Sequence, residues 1–210
     1  MPAEGFFITG TDTGVGKTVV TACLWTLLRK HGRQAGIMKP IETGVDSECS
    51  SSANSDAKFL LEVTGNRDPL EEVSPVRLKT PASPLQAARL DGRTLDPGLI
   101  LENYKKLSGK HGLMLVEGIG GLLVPITRDY RVADLARDLG LPLIVVCRAT
   151  LGTLNHTLLT LKAAADHGVE VSGVILNFPE NRKKDKIEEG QAELIEELSG
   201  VKVLGEVPFL

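Results

Sequence analysis

The stretch Gly10-Thr11-Asp12-Thr13-Gly14-Val15-Gly16-Lys17-Thr18 constrains this chain more than any other. The apolar run Phe6-Phe7-Ile8-Thr9 precedes it, and Val20, Cys23, Leu24, Leu27, Leu28 and His31 follow at helical spacing. A short buried strand, a glycine-rich turn, Lys-Thr and a helix together predict a phosphate-binding loop. Glycines allow the backbone to turn its N–H groups onto one anion, and the new helix adds its positive end. Lys17 contributes a full charge, while the Thr18 hydroxyl is placed to ligate a phosphate-bound Mg²⁺. Five residues separate Gly10 from Gly16, where the common pattern has four. A glycine turn that only caps a helix would not need the Lys-Thr pair.

The rest of the chain reads as alternating strands and helices. Strands are predicted at 34–38, 113–116, 143–146, 171–176 and 201–204, with a short extended piece at 76–78. Helices are predicted from Ser55-Asp56 to Val63 and at 85–90, 99–107, 132–139, 153–167 and 184–198. Near-continuous apolar strands separated by helices predict an α/β fold: one domain over residues 1–210, about seven mostly parallel strands, helices on both faces. The polar stretch 46–55 is predicted to be a surface loop.

Ligands bind such sheets beyond the carboxyl ends of the strands, which directs attention to the residues following each apolar run. Glu117 follows Leu113–Val116 and precedes Gly118-Ile119-Gly120-Gly121. A carboxylate there suits an Mg²⁺-holding role, or plain strand termination. Lys39 ends the second strand in Lys39-Pro40-Ile41-Glu42-Thr43-Gly44, and Pro40 keeps it extended. Lys39 is a phosphate-facing candidate or a solvated lysine. Asp56 is an N-cap or a second Mg²⁺ carboxylate. Asn177 reads a base through its amide or serves as a turn residue. No His/Cys spacing suggests zinc, and no Ser/His/Asp arrangement suggests acyl transfer.

A net charge of −3 and an aromatic fraction of 4% point away from nucleic acid as a partner. No leading apolar segment or membrane-length run is present, and the three cysteines form no CxxC, so the expectation is a cytoplasmic protein with no membrane partner.

Six ordered blocks together resemble the dethiobiotin synthetase family: GTDTGVGKT (10–18), KPIETG (39–44), NSDA (54–57), VEGIGG (116–121), GTLNHTLLT (152–160) and GEVPFL (205–210). The five-residue glycine spacing is that family's own form. The resemblance implies a cytoplasmic homodimer in biotin synthesis that takes 7,8-diaminopelargonate, CO₂ and ATP to dethiobiotin, ADP and phosphate. It implies Lys17 and Lys39 as catalytic cations, with Thr18, Asp56 and Glu117 around Mg²⁺. Thr13, Gly14, Val15, Gly16, Lys17, Thr18, Gly118, Ile119 and Gly120 would hold the nucleotide. Asn177, Pro208, Phe209 and Leu210 would line the adenine pocket. Thr43 would touch the carbamate or diamine end. Leu151, Gly152 and Asn155 would lie at a helix start that takes the substrate carboxylate from the neighbouring subunit. On this reading Lys39→Ala leaves folding and nucleotide affinity nearly intact while kcat falls by about two orders or more. A partition or division-site ATPase of the same superfamily usually carries a second lysine where this chain has Thr11.

Overall fold

The computed structural model describes residues 4–45, 55–178, 180 and 186–209. Strands β1 (Glu4–Gly10), β2 (Gly36–Met38), β5 (Leu113–Glu117), β6 (Leu143–Arg148), β7 (Val171–Asn177) and β8 (Val203–Val207) form one six-stranded sheet. Its order is β2-β5-β1-β6-β7-β8, and every pairing is parallel. Two short strands, β3 (Ile41–Thr43) and β4 (Val76–Leu78), pair separately. The main sheet thus has six strands where about seven were expected; the short extended piece at 76–78 is β4, paired outside it with β3, which is too short to show a period.

Side-chain alternation divides the interior in two. Ile8, Ile37, Leu113, Leu115, Ile144 and Val146 face helix α1 (Lys17–Lys30) and Leu60 of α2 (Asp56–Thr64). Phe7, Met38, Met114, Val116, Val145 and Leu176 pack with α5 (Pro97–Lys110), α6 (Val132–Leu139), α7 (Thr153–Asp166) and α9 (Gln191–Ser199). The short helices α3 (Leu70–Val73), α4 (Pro84–Leu90) and α8 (Lys186–Glu189) complete the described elements. Helix limits follow their caps. Ser55, not Asp56, caps α2 by accepting from Lys58 N, and Gly65 ends it in the left-handed conformation. The single charged helix expected over 184–198 is two, α8 and α9, separated at Gly190. The last strand starts two residues later than expected and runs into the GEVPFL block. Most of the expected 46–55 loop lies outside the described residues.

Candidate active site

The chain order reverses across β1, so the carboxyl ends of β5, β1 and β6 surround a crevice of the kind that receives ligands. Gly10 to Gly16 crosses that crevice. Thr11 N–H donates to Val146 O at 3.0 Å, tying the loop's start to β6. Asn177, at the end of β7, donates from Nδ2 to Val15 O at 2.9 Å, and Arg148 donates from Nη2 to Gly14 O at 2.9 Å. Both contacts span more than 130 residues of sequence. Gly16 sits at φ +96°, and a Cβ there would stand 2.0 Å from Asn177 Nδ2. No side chain caps α1 and no acid occupies its first turn, so its N–H groups remain available to an anion.

Strand register explains the polar cluster beside the loop. Ile37 of β2 lies opposite Leu115 of β5, both on the α1 face. Two residues further on, the same alternation sets Lys39 against Glu117. Lys39 Nζ lies 2.6 Å from Glu117 Oε1 and 3.2 Å from Asp56 Oδ2, and it donates to Gly118 O at 3.0 Å. Thr18 Oγ1 donates to the same Glu117 Oε1 at 2.9 Å. Glu117 is fully buried and Lys39 is 3% exposed, whereas the Asp56 side chain is 48% exposed. Lys17 Nζ donates to Asp12 O at 3.0 Å.

Burial alone would lower the Lys39 pKa, but the Glu117 and Asp56 carboxylates outweigh it and raise the ammonium above its ordinary value. Lys17 goes the other way: burial, then the nearby Lys39 charge, lowers it to about 8. The folded chain therefore holds fewer protons than the unfolded chain between about pH 8 and the ordinary lysine value, and this group favours folding more as pH rises through that window. A phosphate placed beside Lys17 would restore the charged form. ATP binding at pH 8 is thus expected to take up a fraction of a proton, visible as binding heats that change with buffer ionisation enthalpy. Lys17→Met should abolish that dependence.

Thr13, Gly14, Gly16, Lys17, Thr18, Lys39, Thr43, Asp56, Glu117, Ile119 and Gly120 line one cleft of about 360 Å³. Val19, Glu42 and Val45 line it too and were not singled out in advance. Val15 is buried beneath the loop. Other expected residues lie elsewhere. Asn177 is 8% exposed, with one amide hydrogen taken up by the loop. Leu151, Gly152 and Asn155 are exposed around the start of α7, outside the cleft, and Pro208 and Phe209 are exposed after β8. Leu210 lies outside the described residues.

The family described as an AAA domain matches residues 4–210. An ATP-dependent dethiobiotin synthetase BioD of Thermodesulfovibrio yellowstonii is 42% identical over 98% of this chain and 89% of its own length. The same-named protein of Bacillus subtilis subsp. natto is 38% identical over 99% of this chain and 88% of its own. The chain belongs to the dethiobiotin synthetase family. Residues of the glycine loop, of the KPIETG block and Glu117 meet at the cleft. The MinC:MinD cell division protein complex of Aquifex aeolicus shares the fold at TM-score 0.59 with 20% identity, over 99% of this chain and 82% of that one. A ParA family ATPase of Chlorobium tepidum does so at TM-score 0.54 and 15% identity, over 99% and 85%. Those two likenesses concern the fold alone.

Proposed function

We propose that this protein is an ATP-dependent dethiobiotin synthetase, closing the cyclic urea of 7,8-diaminopelargonate with CO₂, and that residues 1–210 act as one domain. The observation that carries this is the pair of buried lysines at one cleft, Lys39 held by Glu117 and Asp56, Lys17 by the loop. One substrate amine takes up CO₂ and loses a proton to give a carbamate. A carbamate oxygen bonds to the γ-phosphorus as the bond to the ADP oxygen breaks. The second amine then attacks the carbonyl carbon, the carbon–oxygen bond to phosphate breaks, the nitrogen gives up a proton, and the five-membered ring is closed. Two anions must meet in the middle step, so cations fixed in advance lower the barrier without rearrangement. Lys39 is suited to the carbamate side and Lys17 to the transferring phosphate. Thr43, three residues past Pro40, is the candidate for the carbamate or diamine end. Because both amines belong to one molecule, ring closure needs only orientation.

The residues present fit Mg²⁺. Glu117 Oε2 is buried with no hydrogen-bond partner among the described residues, Thr18 reaches the same carboxylate, and Asp56 faces the cleft. Mg²⁺ takes few protein oxygens and completes its shell with water and phosphate. When bound, the ion would neutralise charge on the β- and γ-phosphates. Thr18, Asp56 and Glu117 would hold it. The nucleotide would lie along Thr13–Thr18 and Gly118–Gly120, with its base toward Asn177, Pro208, Phe209 and Leu210.

A homodimer completes the proposal. Leu123 and Leu159 are 56% and 60% exposed and line a groove of about 420 Å³ on the α7 side of the loop, beside Thr11 and Asp12. Leu151, nearby in sequence at the head of α7, is 87% exposed. Apolar side chains so placed suit a second subunit, whose Leu151, Gly152 and Asn155 would take the substrate carboxylate. Leu159→Glu should convert the dimer to monomer in light scattering and raise KM for the diamine far more than KM for ATP. No helix among the described residues is long and apolar enough to cross a membrane, and a cytoplasmic location suits the chemistry. The test of function is turnover of labelled bicarbonate, the diamine and Mg-ATP. Acid-stable label in a cyclic urea is the expected product. ATP hydrolysis without fixed label, stimulated by DNA or lipid, would overturn the reading.

A further inference from the structure

We infer that Glu42 is a positioning residue of this site, setting Asp56 at the cleft through a buried network that joins β3, the head of α2 and the α3–β4 corner. Glu42 is 3% exposed, and its carboxylate accepts on both oxygens. Ala57 N–H donates to Oε1 at 3.1 Å, and Ser55 Oγ stands 3.1 and 3.0 Å from Oε1 and Oε2. Ser74 Oγ donates to Oε2 at 3.1 Å, and Arg77 Nε lies 4.0 Å away. Asp56 is the residue between Ser55 and Ala57, so its backbone is held on both sides by one carboxylate. Asp56 then reaches Lys39 from the first turn of α2.

Helix formation alone does not call for this arrangement. Ser55 already caps α2 at Lys58 N–H, and Gly65 already ends it. An apolar residue at position 42 would fill the site without burying a charge, and buried carboxylates seldom add net stability over such a replacement. The network instead fixes where the helix begins. The negative charge beneath the positive helix end reinforces that placement. A carboxylate meant to share a divalent ion with Glu117 gains from such support, since a shift of about 1 Å at a reacting centre costs up to roughly 10²-fold in rate.

The inference rests on the proposed role of Asp56, and its test separates the two. Amide exchange in the first turn of α2, measured without nucleotide, should accelerate in Glu42→Ala by about tenfold or more while exchange in β1 and β5 stays unchanged. Mn²⁺ binding in the presence of a non-hydrolysable ATP analogue should weaken by about tenfold, and kcat should fall similarly with little change in KM for ATP. Glu42→Gln, which keeps an acceptor for Ala57 N–H and can donate to the serine oxygens, should recover to within about threefold of wild type. In an Asp56→Ala background, Glu42→Ala should add less than about twofold, because the residue it places is gone. Should Glu42→Ala fail to fold, Ser74→Ala carries the same readouts with smaller changes of the same sign. Unchanged exchange and Mn²⁺ affinity, or losses that multiply with those of Asp56→Ala, would overturn the role of Glu42. Failure of the wild type to fix label counts against the proposed function, while the exchange and Mn²⁺ arms still decide Glu42.

Discussion

Lys39→Ala should lower kcat for urea-ring formation by roughly 10²–10³-fold, the usual consequence of losing one preorganised donor to a developing charge. The same substitution should also destabilise the protein, contrary to what the sequence reading expects. Glu117 is fully buried and its Oε1 is held by Lys39 and Thr18. Without Lys39 its charge loses its buried counter-ion, and removing one partner of such a pair typically costs about 3–5 kcal/mol. Mg-ATP should narrow that deficit, because a divalent ion offers Glu117 another countercharge. Urea unfolding with and without Mg-ATP measures the stability change, and single-turnover fixation of label on the folded fraction measures catalysis. Wild-type turnover in the folded variant would remove Lys39 from the mechanism. A stability unchanged from wild type would instead show that Glu117 finds another partner or protonates.

Gly16→Ala should nearly abolish nucleotide binding. At φ +96° an alanine is strained by about 1–2 kcal/mol whatever its surroundings. Its Cβ would also meet Asn177 Nδ2 at 2.0 Å, and that amide holds Val15 O in place. The loop must move or the amide must swing away, and either displaces the N–H groups proposed to receive phosphate. A loss of ATP affinity above about 10²-fold is expected, since several charge-assisted hydrogen bonds go together. Asn177→Ala in the same chain should restore a part of the affinity by removing the clash, but not the strain. Full-strength binding by Gly16→Ala alone, measured calorimetrically, would mean that the loop closes on ATP in a conformation other than this one.

The two variants probe different kinds of information. Gly16 sits in a local signal: strand, glycine turn and Lys-Thr are contiguous, and the chain's own stereochemistry demands the turn. The same holds for α6, whose observed limits of Val132–Leu139 match its apolar spacing, and for α4 and α7, found within a residue of their expected positions. Such elements are legible because helix caps and hydrophobic periods act over a few residues. Where two local signals compete, the reading slips by an element. Gly190 divides the expected charged helix, and β3 offers only Ile41-Glu42-Thr43, too few residues to show an alternation.

By itself, then, the sequence determined the loop, the alternation of strands and helices, and the list of polar residues that end apolar runs. It left Lys39 and Asn177 open between functional and ordinary roles, because a lone polar residue after a strand carries no record of what it faces. Tertiary structure supplied the partners that the sequence left unstated. Parallel register between strands 78 residues apart set Lys39 against Glu117, and the end of β7 brought Asn177 under the loop from 162 residues away. Glu42 belongs to the same class, its partners scattered over positions 55, 57 and 74. The physical reason is common to all three. Buried charges and amides must find partners wherever the chain brings them, and those partners are chosen by sheet order and helix placement, not by neighbours in sequence.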